Sequence, residues 1–247
     1  HGGIVVFDDS VDMAAQARMP WEMVRDWFHD TGNYVHALDC MAEELRGEIG
    51  ASERLGEEEM AAALHERHGV SVRIGETQAS LLRHYNARAK ELFINAAAPP
   101  ESRRFLIALQ LMRLSASGII EDVVRSAALS APGADRLLEV GLANYGAGAL
   151  MMPYAAFRNA ARAVRHDIDR LARQFGVSFE QACHRLSTLQ RPGMRGIPFF
   201  FSRVDMAGNI TKRHSATRLQ FARFGGACPL WIVHEAVAIP DRIVTQL

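Results

Sequence analysis

Between Arg103 and Leu114 the chain reads RRFLIALQLMRL, apolar almost all round, with Gln110 and Arg113 as the polar residues of its interior. A helix without a wet face is a buried central helix. Pro99-Pro100 and Glu101 mark its start, because proline suits the first helical turn. Upstream, Trp21, Val24, Trp27, Phe28, Val35, Leu38, Met41, Ala42 and Leu45 recur at three- and four-residue steps. That spacing predicts one long amphipathic helix over Pro20–Glu48, with Thr31-Gly32-Asn33 as a possible interruption. Its two tryptophans and neighbouring phenylalanine suit either a docking face or plain core.

The remaining pattern is short helices and shorter strands. Glu57–His68 predicts a helix closed by Gly69. Val70–Ile74 alternates like a strand, and Leu81–Tyr85 with Glu91–Asn95 reads as a hairpin turned at Asn86-Ala87-Arg88. Helices follow over Gly118–Leu129, over the Gly- and Ala-rich Ala134–Met152, and, after Pro153, over Tyr154–Arg165. Small residues on the second of these allow another backbone or a ligand to approach closely. His166–Gln190 has a helix–turn–helix pattern, with Phe175-Gly176-Val177 as the turn and Ser178 as N-cap. After Pro192 the period changes to two. Ile197–Val204, Ile210–His214 and Leu219–Phe224 read as strands, with Met206-Ala207-Gly208-Asn209 as a hairpin turn.

Composition narrows the classes. The 247 residues can bury a substantial core, in one large or two modest domains. Cys40, Cys183 and Cys228 are far apart and form no C-x-x-C pair, which points to a reducing, cytoplasmic setting rather than a disulfide frame. No window holds about 18 uninterrupted apolar residues, so no membrane partner is expected. The start, HGGIVVFDD, lacks both a signal-peptide pattern and an initiator Met, which suggests a piece of something longer. The net charge of zero hides an asymmetry. Residues 1–60 are acidic. Between Arg191 and Arg223, Arg191, Arg195, Arg203, Lys212, Arg213, Arg218 and Arg223 face Asp205 alone. Such a bias points to an anionic partner, or to a solvated face neutralised by the acidic N-terminal region.

Metal chemistry is tested at the central helix. A zinc peptidase helix carries H-E-x-x-H, two imidazoles one turn apart with a glutamate to activate water. The matching positions here are Leu109, Gln110, Leu111, Met112 and Arg113. His65-Glu66-x-His68 has its histidines three apart rather than four, in a last helical turn that favours cationic imidazole anyway.

RRFLIALQLMRL and the later LANYGAGALMMP resemble the ImmA/IrrE family of zincin-like peptidases, which read R-F-x-x-A-H-E-x-x-H and E-A-N-x-F-A-A-x-L-L-M-P. Arg104, Phe105 and Ala108 keep the first frame; Ala143, Asn144, Ala147, Leu150, Met152 and Pro153 keep the second. The third ligand position is Leu142. The resemblance implies a retained fold with the metal site and the peptidase chemistry lost. No catalytic residue is assigned. The fold class expected is α+β. An N-terminal helical linker region (1–56) precedes a mainly helical zincin-like domain (57–165). A C-terminal domain (166–247) then adds the helix pair and a small antiparallel sheet.

A second resemblance is densest after Ala143. RLARQFGVSFEQACHRLSTLQRPGMRGIPFFFSRVDMAGNITKR and FARFGGACPLWIVHEA are similar to the C-terminal domain of short-chain fatty-acyl transcriptional regulators. These are bacterial proteins with an N-terminal Xre-type helix–turn–helix and a degenerate ImmA/IrrE-like middle. The resemblance implies a regulator of short-chain carboxylate metabolism, such as propionate or acetate use. Its effector would be a short-chain acyl-CoA, with no other cofactor. It would contact DNA through an N-terminal domain outside this chain and would assemble as a homodimer or higher homo-oligomer.

Coenzyme A carries phosphates that favour bidentate cations and an adenine that favours an aromatic or guanidinium face. Arg203, Lys212, Arg213, Arg218 and Arg223 are the candidate phosphate groups, with Phe199 and Phe201 on one face of their strand. Tyr145, Met151, Met152, Tyr154 and Trp231, near Arg113 of the degenerate metal site, are the candidate acyl and pantetheine pocket. Two other classes compete. One is a thiol hydrolase using Cys183-His184, or Cys228 with His234. The other is a DNA-binding module using the basic strands or the 166–190 helix pair, whose second helix offers Glu180, Gln181, His184, Arg185 and Gln190.

Overall fold

The computed structural model describes residues 19–50, 52, 54–77, 81–204 and 210–215. The amphipathic N-terminal pattern forms two helices, α1 (Pro20–Asp30) and α2 (His36–Ile49). The break falls at Thr31-Gly32-Asn33. Gly32 and Asn33 have φ of +65° and +55°, a left-handed pair that a right-handed helix cannot run through. The Thr31 hydroxyl donates to the carbonyls of Trp27 and Phe28, which also accept the Thr31 and Asn33 amides.

After α3 (Glu57–His68) come β1 (Ser71–Gly75), β2 (Arg83–Asn86) and β3 (Glu91–Asn95). The sheet order is β1-β3-β2. β2 and β3 form the expected hairpin, while β1 lies parallel to β3, Val72 opposite Leu92. The central helix α4 (Pro100–Ser115) follows, then α5 (Ser117–Ala127), α6 (Ala134–Met151), α7 (Tyr154–Ala163), α8 (Ile168–Phe175) and α9 (Phe179–Ser187). Strands β4 (Phe200–Val204) and β5 (Ile210–Ser215) pair antiparallel, as the period-two pattern predicts. The third strand expected at Leu219–Phe224 and the turn at Met206–Asn209 lie outside the described residues.

The core centres on α4 and α6. Ile107, Ala108, Leu111 and Met112 of α4 meet Leu138, Leu142, Ala147 and Leu150 in one buried cluster. The small residues of α6 admit side chains rather than a backbone or ligand. A Cβ on Gly146 would stand 2.9 Å from Met112 Cε, and one on Gly141 would stand 2.8 Å from Phe28. Phe28 thus seats α1 on α6, whereas Trp21 stays exposed. Helix α4 is not dry all round: Arg113 is exposed, and Phe105, Leu106 and Leu114 are half-buried. Arg104 is buried and donates to the carbonyl of Gly176, the left-handed residue (φ +63°) that turns α8 into α9.

The densest polar feature is an ion pair in the interior. Asp39 of α2 and Arg185 of α9 are 0% and 2% exposed and meet at 2.5 Å. The second carboxylate oxygen of Asp39 accepts the hydroxyl of Tyr145 on α6, and that hydroxyl also accepts the Val35 amide at 3.2 Å. Arg185 spends its other donors on the Met152 carbonyl (2.9 Å) and the Thr188 hydroxyl (3.1 Å). Burial opposes the Arg185 charge, but Asp39 and Tyr145 outweigh it and raise its pKa. Burial, and next the Asp39 charge, push the Tyr145 phenol well above its ordinary value, so it remains a donor.

One layer outward, Arg191 stacks over Tyr154 at 4.3 Å and donates to the Tyr34 hydroxyl and to Glu43, both at 2.9 Å. Four helices, α2, α6, α7 and α9, and the 188–194 segment are tied by this set. Removing one partner of a buried pair strands the other charge, which costs about 3–5 kcal/mol. Asp39→Ala is therefore expected to lower unfolding free energy by about that amount in urea titration. The double variant Asp39→Leu/Arg185→Met should lose clearly less than either single change.

Candidate ligand-binding site

Helix α7 presents Arg158 and Arg162 one turn apart, while Phe157 and Ala161 are buried beneath them. The chain then turns through Arg165 and His166, both left-handed at φ +53° and +61°. A consecutive non-glycine pair in that region is strained and holds only where the surroundings enforce it. Here the His166 amide donates to the Ala161 carbonyl at 2.7 Å, and its ring lies 5.5 Å from the Phe199 ring. On the opposite side, the Gly196 amide donates to the Leu189 carbonyl at 2.7 Å and Arg158 Nε donates to the Arg195 carbonyl at 3.2 Å. These bonds hold segment 195–199 against α7 and against Leu189, just beyond α9.

Between them lies an open groove of about 490 Å³. Ala161, Leu186 and Leu189, all buried, form its floor. Arg158, Arg162, Arg195 and His166 form a basic rim, with Phe199 at one end and no carboxylate in the lining. A cationic rim above an apolar floor suits a ligand that is anionic at one end and apolar at the other.

The positions of the H-E-x-x-H frame do not fit a metal. Leu142 is fully buried in the α4–α6 packing, and Leu109 is buried as well. The Gln110 amide oxygen accepts from Arg83 Nη2, so a guanidinium lies where a cation would have to enter. Among the described residues no group of three His, Cys, Asp or Glu could hold a metal ion. His68 of the other histidine pair meets the Ser115 hydroxyl at 2.9 Å.

Residues 188–247 match the C-terminal domain of the short-chain fatty acyl coenzyme A regulators, and residues 65–187 match the IrrE N-terminal-like domain. A solved Mycobacterium tuberculosis transcriptional regulator superposes with TM-score 0.86 at 46% identity, over 92% of this chain and 69% of that one. The chain belongs to the short-chain fatty-acyl coenzyme A regulator family. Its fold is the zincin-like one of the IrrE domain, mostly helical with a small mixed sheet. The HTH-type transcriptional regulator PrpR of Mycobacterium tuberculosis is 46% identical over 93% of this chain and 47% of its own length. The propionyl-CoA carboxylase regulator of Cereibacter sphaeroides is 44% identical over 100% of this chain and 53% of its own. The chain thus spans about half the length of these curated relatives. No helix among the described residues is long and apolar enough to cross a membrane.

Within this regulator fold the expected site residues scatter. Phe199 lines the groove, and Phe201, half-buried, stands opposite His214 in the β4–β5 ladder. In the same ladder Arg203 pairs with Lys212 and Ser202 with Arg213. Arg218, Arg223 and Trp231 lie outside the described residues. Tyr145, Met151 and Tyr154 are core residues, 3%, 2% and 0% exposed, and do not line this groove. Both hydroxyls are committed: Tyr145 to Asp39, and Tyr154 to the Met194 carbonyl at 3.1 Å. They serve the buried ionic set because a phenol there satisfies groups that a purely apolar ring would leave unpaired. Arg113 is exposed on α4. Sequence reasoning passed over Arg158, Arg162 and His166. Their signal was the i, i+4 arginine spacing in FRNAARAVRHD, hidden because the charge count began at Arg191.

The helix pair is built as expected: Asp167 caps α8, and Ser178 with Gln181 forms a reciprocal capping box on α9. Two of the five groups named for base reading are thereby occupied. Gln181 caps its own helix and Arg185 is inside the core, so neither can project into a DNA groove. Cys183 is buried, and that burial pushes its thiol up to about 11. At pH 8 only about one molecule in a thousand would carry the thiolate nucleophile. Cys183 should therefore resist iodoacetamide at pH 8 in the folded chain and alkylate fully in denaturant, read by peptide mass mapping.

Proposed function

We propose that this chain is the effector-binding region of a bacterial transcriptional regulator that senses a short-chain acyl-CoA of the propionyl or acetyl type. The whole protein controls short-chain carboxylate metabolism, binds DNA through its N-terminal domain, and pairs as a homodimer to match a two-fold operator. The observation that carries the reading is the groove. Arg158, Arg162 and Arg195 receive the phosphates, the His166–Phe199 pair offers a face to adenine, and the Leu186–Leu189 floor takes the apolar pantetheine and acyl end. Arg203, Lys212, Arg213, Arg218 and Arg223, which follow Phe199 in the sequence, are kept as further candidate phosphate groups by their charge. The family match, and the printed name of the carboxylase regulator, support the same ligand class.

No step of this function needs a catalytic group, so the chain acts without being an enzyme. Sensing needs only a differential contact between two states, and a coupling of about 1–3 kcal/mol is enough. The segment that floors the groove also holds the ionic set: Leu186 and Leu189 alternate with Arg185, Thr188 and Arg191, of which Arg185 and Arg191 bind Asp39 and Glu43 of α2. A ligand that presses on the floor shifts that set and with it α2.

Calorimetric titration with propionyl-CoA, acetyl-CoA and free CoA is the direct test. A thioester should bind, and Arg162→Ala should weaken it about tenfold or more, the worth of one charge-assisted hydrogen bond. Absence of heat with every thioester would remove the reading.

A further inference from the structure

The lost metal frame carries an electrostatic arrangement that the groove does not use. Arg83 sits on β2, which pairs with β3 on one side only among the described strands. Its guanidinium reaches Gln110 on α4, and its Nε is buried with no hydrogen-bond partner. Arg113 stands one helical turn beyond Gln110 and is exposed. Among the described residues neither arginine forms an ion pair. Burial lowers the Arg83 pKa, and the neighbouring Arg113 charge lowers it further. A half-buried guanidinium with a like charge beside it and no counter-charge is unfavourable as it stands. Its planar fork is shaped for an oxyanion.

We propose that Arg83 and Arg113, across Gln110, bind a single oxyanion, a carboxylate or a phosphate, where the H-E-x-x-H frame would have held a cation. The position has been inverted in sign: donors that surround a metal are replaced by cations that surround an anion. The site uses β2 and α4, whereas the groove uses α7, α9 and segment 195–199, so the two are separable by mutation. Gln110 is 2% exposed and accepts from Arg83, while the exposed Arg113 completes the proposed clamp from the solvent side.

The test is thermal denaturation of the chain with sodium chloride, sodium propionate and sodium phosphate at matched ionic strength, repeated in Arg113→Gln and Arg162→Ala. Arg113→Gln changes an exposed helical residue and leaves the core intact. Propionate, phosphate or both should raise Tm saturably beyond chloride, and Arg113→Gln should raise the half-saturating concentration about tenfold or more. Arg162→Ala should leave it where it was. A response to propionate alone identifies a carboxylate ligand, and one to phosphate alone a phosphate group. The proposal is overturned by no saturable shift with either anion, by a shift that survives Arg113→Gln, or by one lost in Arg162→Ala, which would place the anion in the groove.

Discussion

A carboxylate and a guanidinium meeting at 2.5 Å in a dry interior are the constraint on which this architecture depends. Neither Asp39 nor Arg185 has access to water, so each must be satisfied by the other and by fixed neighbours. Those neighbours come from separate parts of the chain: Tyr145 from α6, the Met152 carbonyl from its end, Thr188 from beyond α9. Such a pair adds little net stability over well-packed apolar residues. What it does is restrict the arrangements. Leucines slide past one another at little penalty, whereas a displaced Arg185 would lose three directed contacts at once. The pair thus sets how α2, α6 and α9 meet, and apolar burial supplies the driving force.

The same fifteen residues, 185–199, serve two purposes. Toward the interior they hold the ionic set; toward solvent they build the floor and one wall of the groove. Arg191 lies at the junction, its backbone amide on the Tyr154 hydroxyl and its side chain on Tyr34 and Glu43. The groove floor and the helix placement are joined by chain continuity here, with no long relay between them. Burial acts against the Arg191 charge, yet Glu43 and Tyr34 raise its pKa, so the clasp stays charged throughout the physiological range.

Much of this was legible from the residues. Apolar periodicity located nearly every described element, because burial on one face leaves a spacing that survives in one dimension. The helix break at Gly32-Asn33, the Ser178 cap and the hairpin at Asn86 were readable because each rests on local backbone chemistry. The fates of individual side chains were not. Tyr145 and Tyr154 read equally well as pocket or core, and the choice turned on Asp39 and Met194, distant partners that no local pattern reveals. Arg185 looked like a surface recognition residue because an arginine is rarely fully buried; its partner lies 146 positions away. The groove was missed for a related reason. Its rim combines arginines from α7 with one from the 195–199 segment, and only the second fell inside the basic stretch.

Gly146 and Gly141 carry a consequence for how this fold can drift over generations. Each accommodates a specific bulky neighbour, Met112 and Phe28, at a separation where even one added methyl group collides. Enlargement at either glycine obliges its counterpart to move or shrink, the Phe28 ring with more difficulty than the flexible end of Met112. The long helix that carries them is consequently constrained on its inner side. Novelty is diverted to its outer side, where Leu137 and Val140 face solvent unconstrained by such bargains.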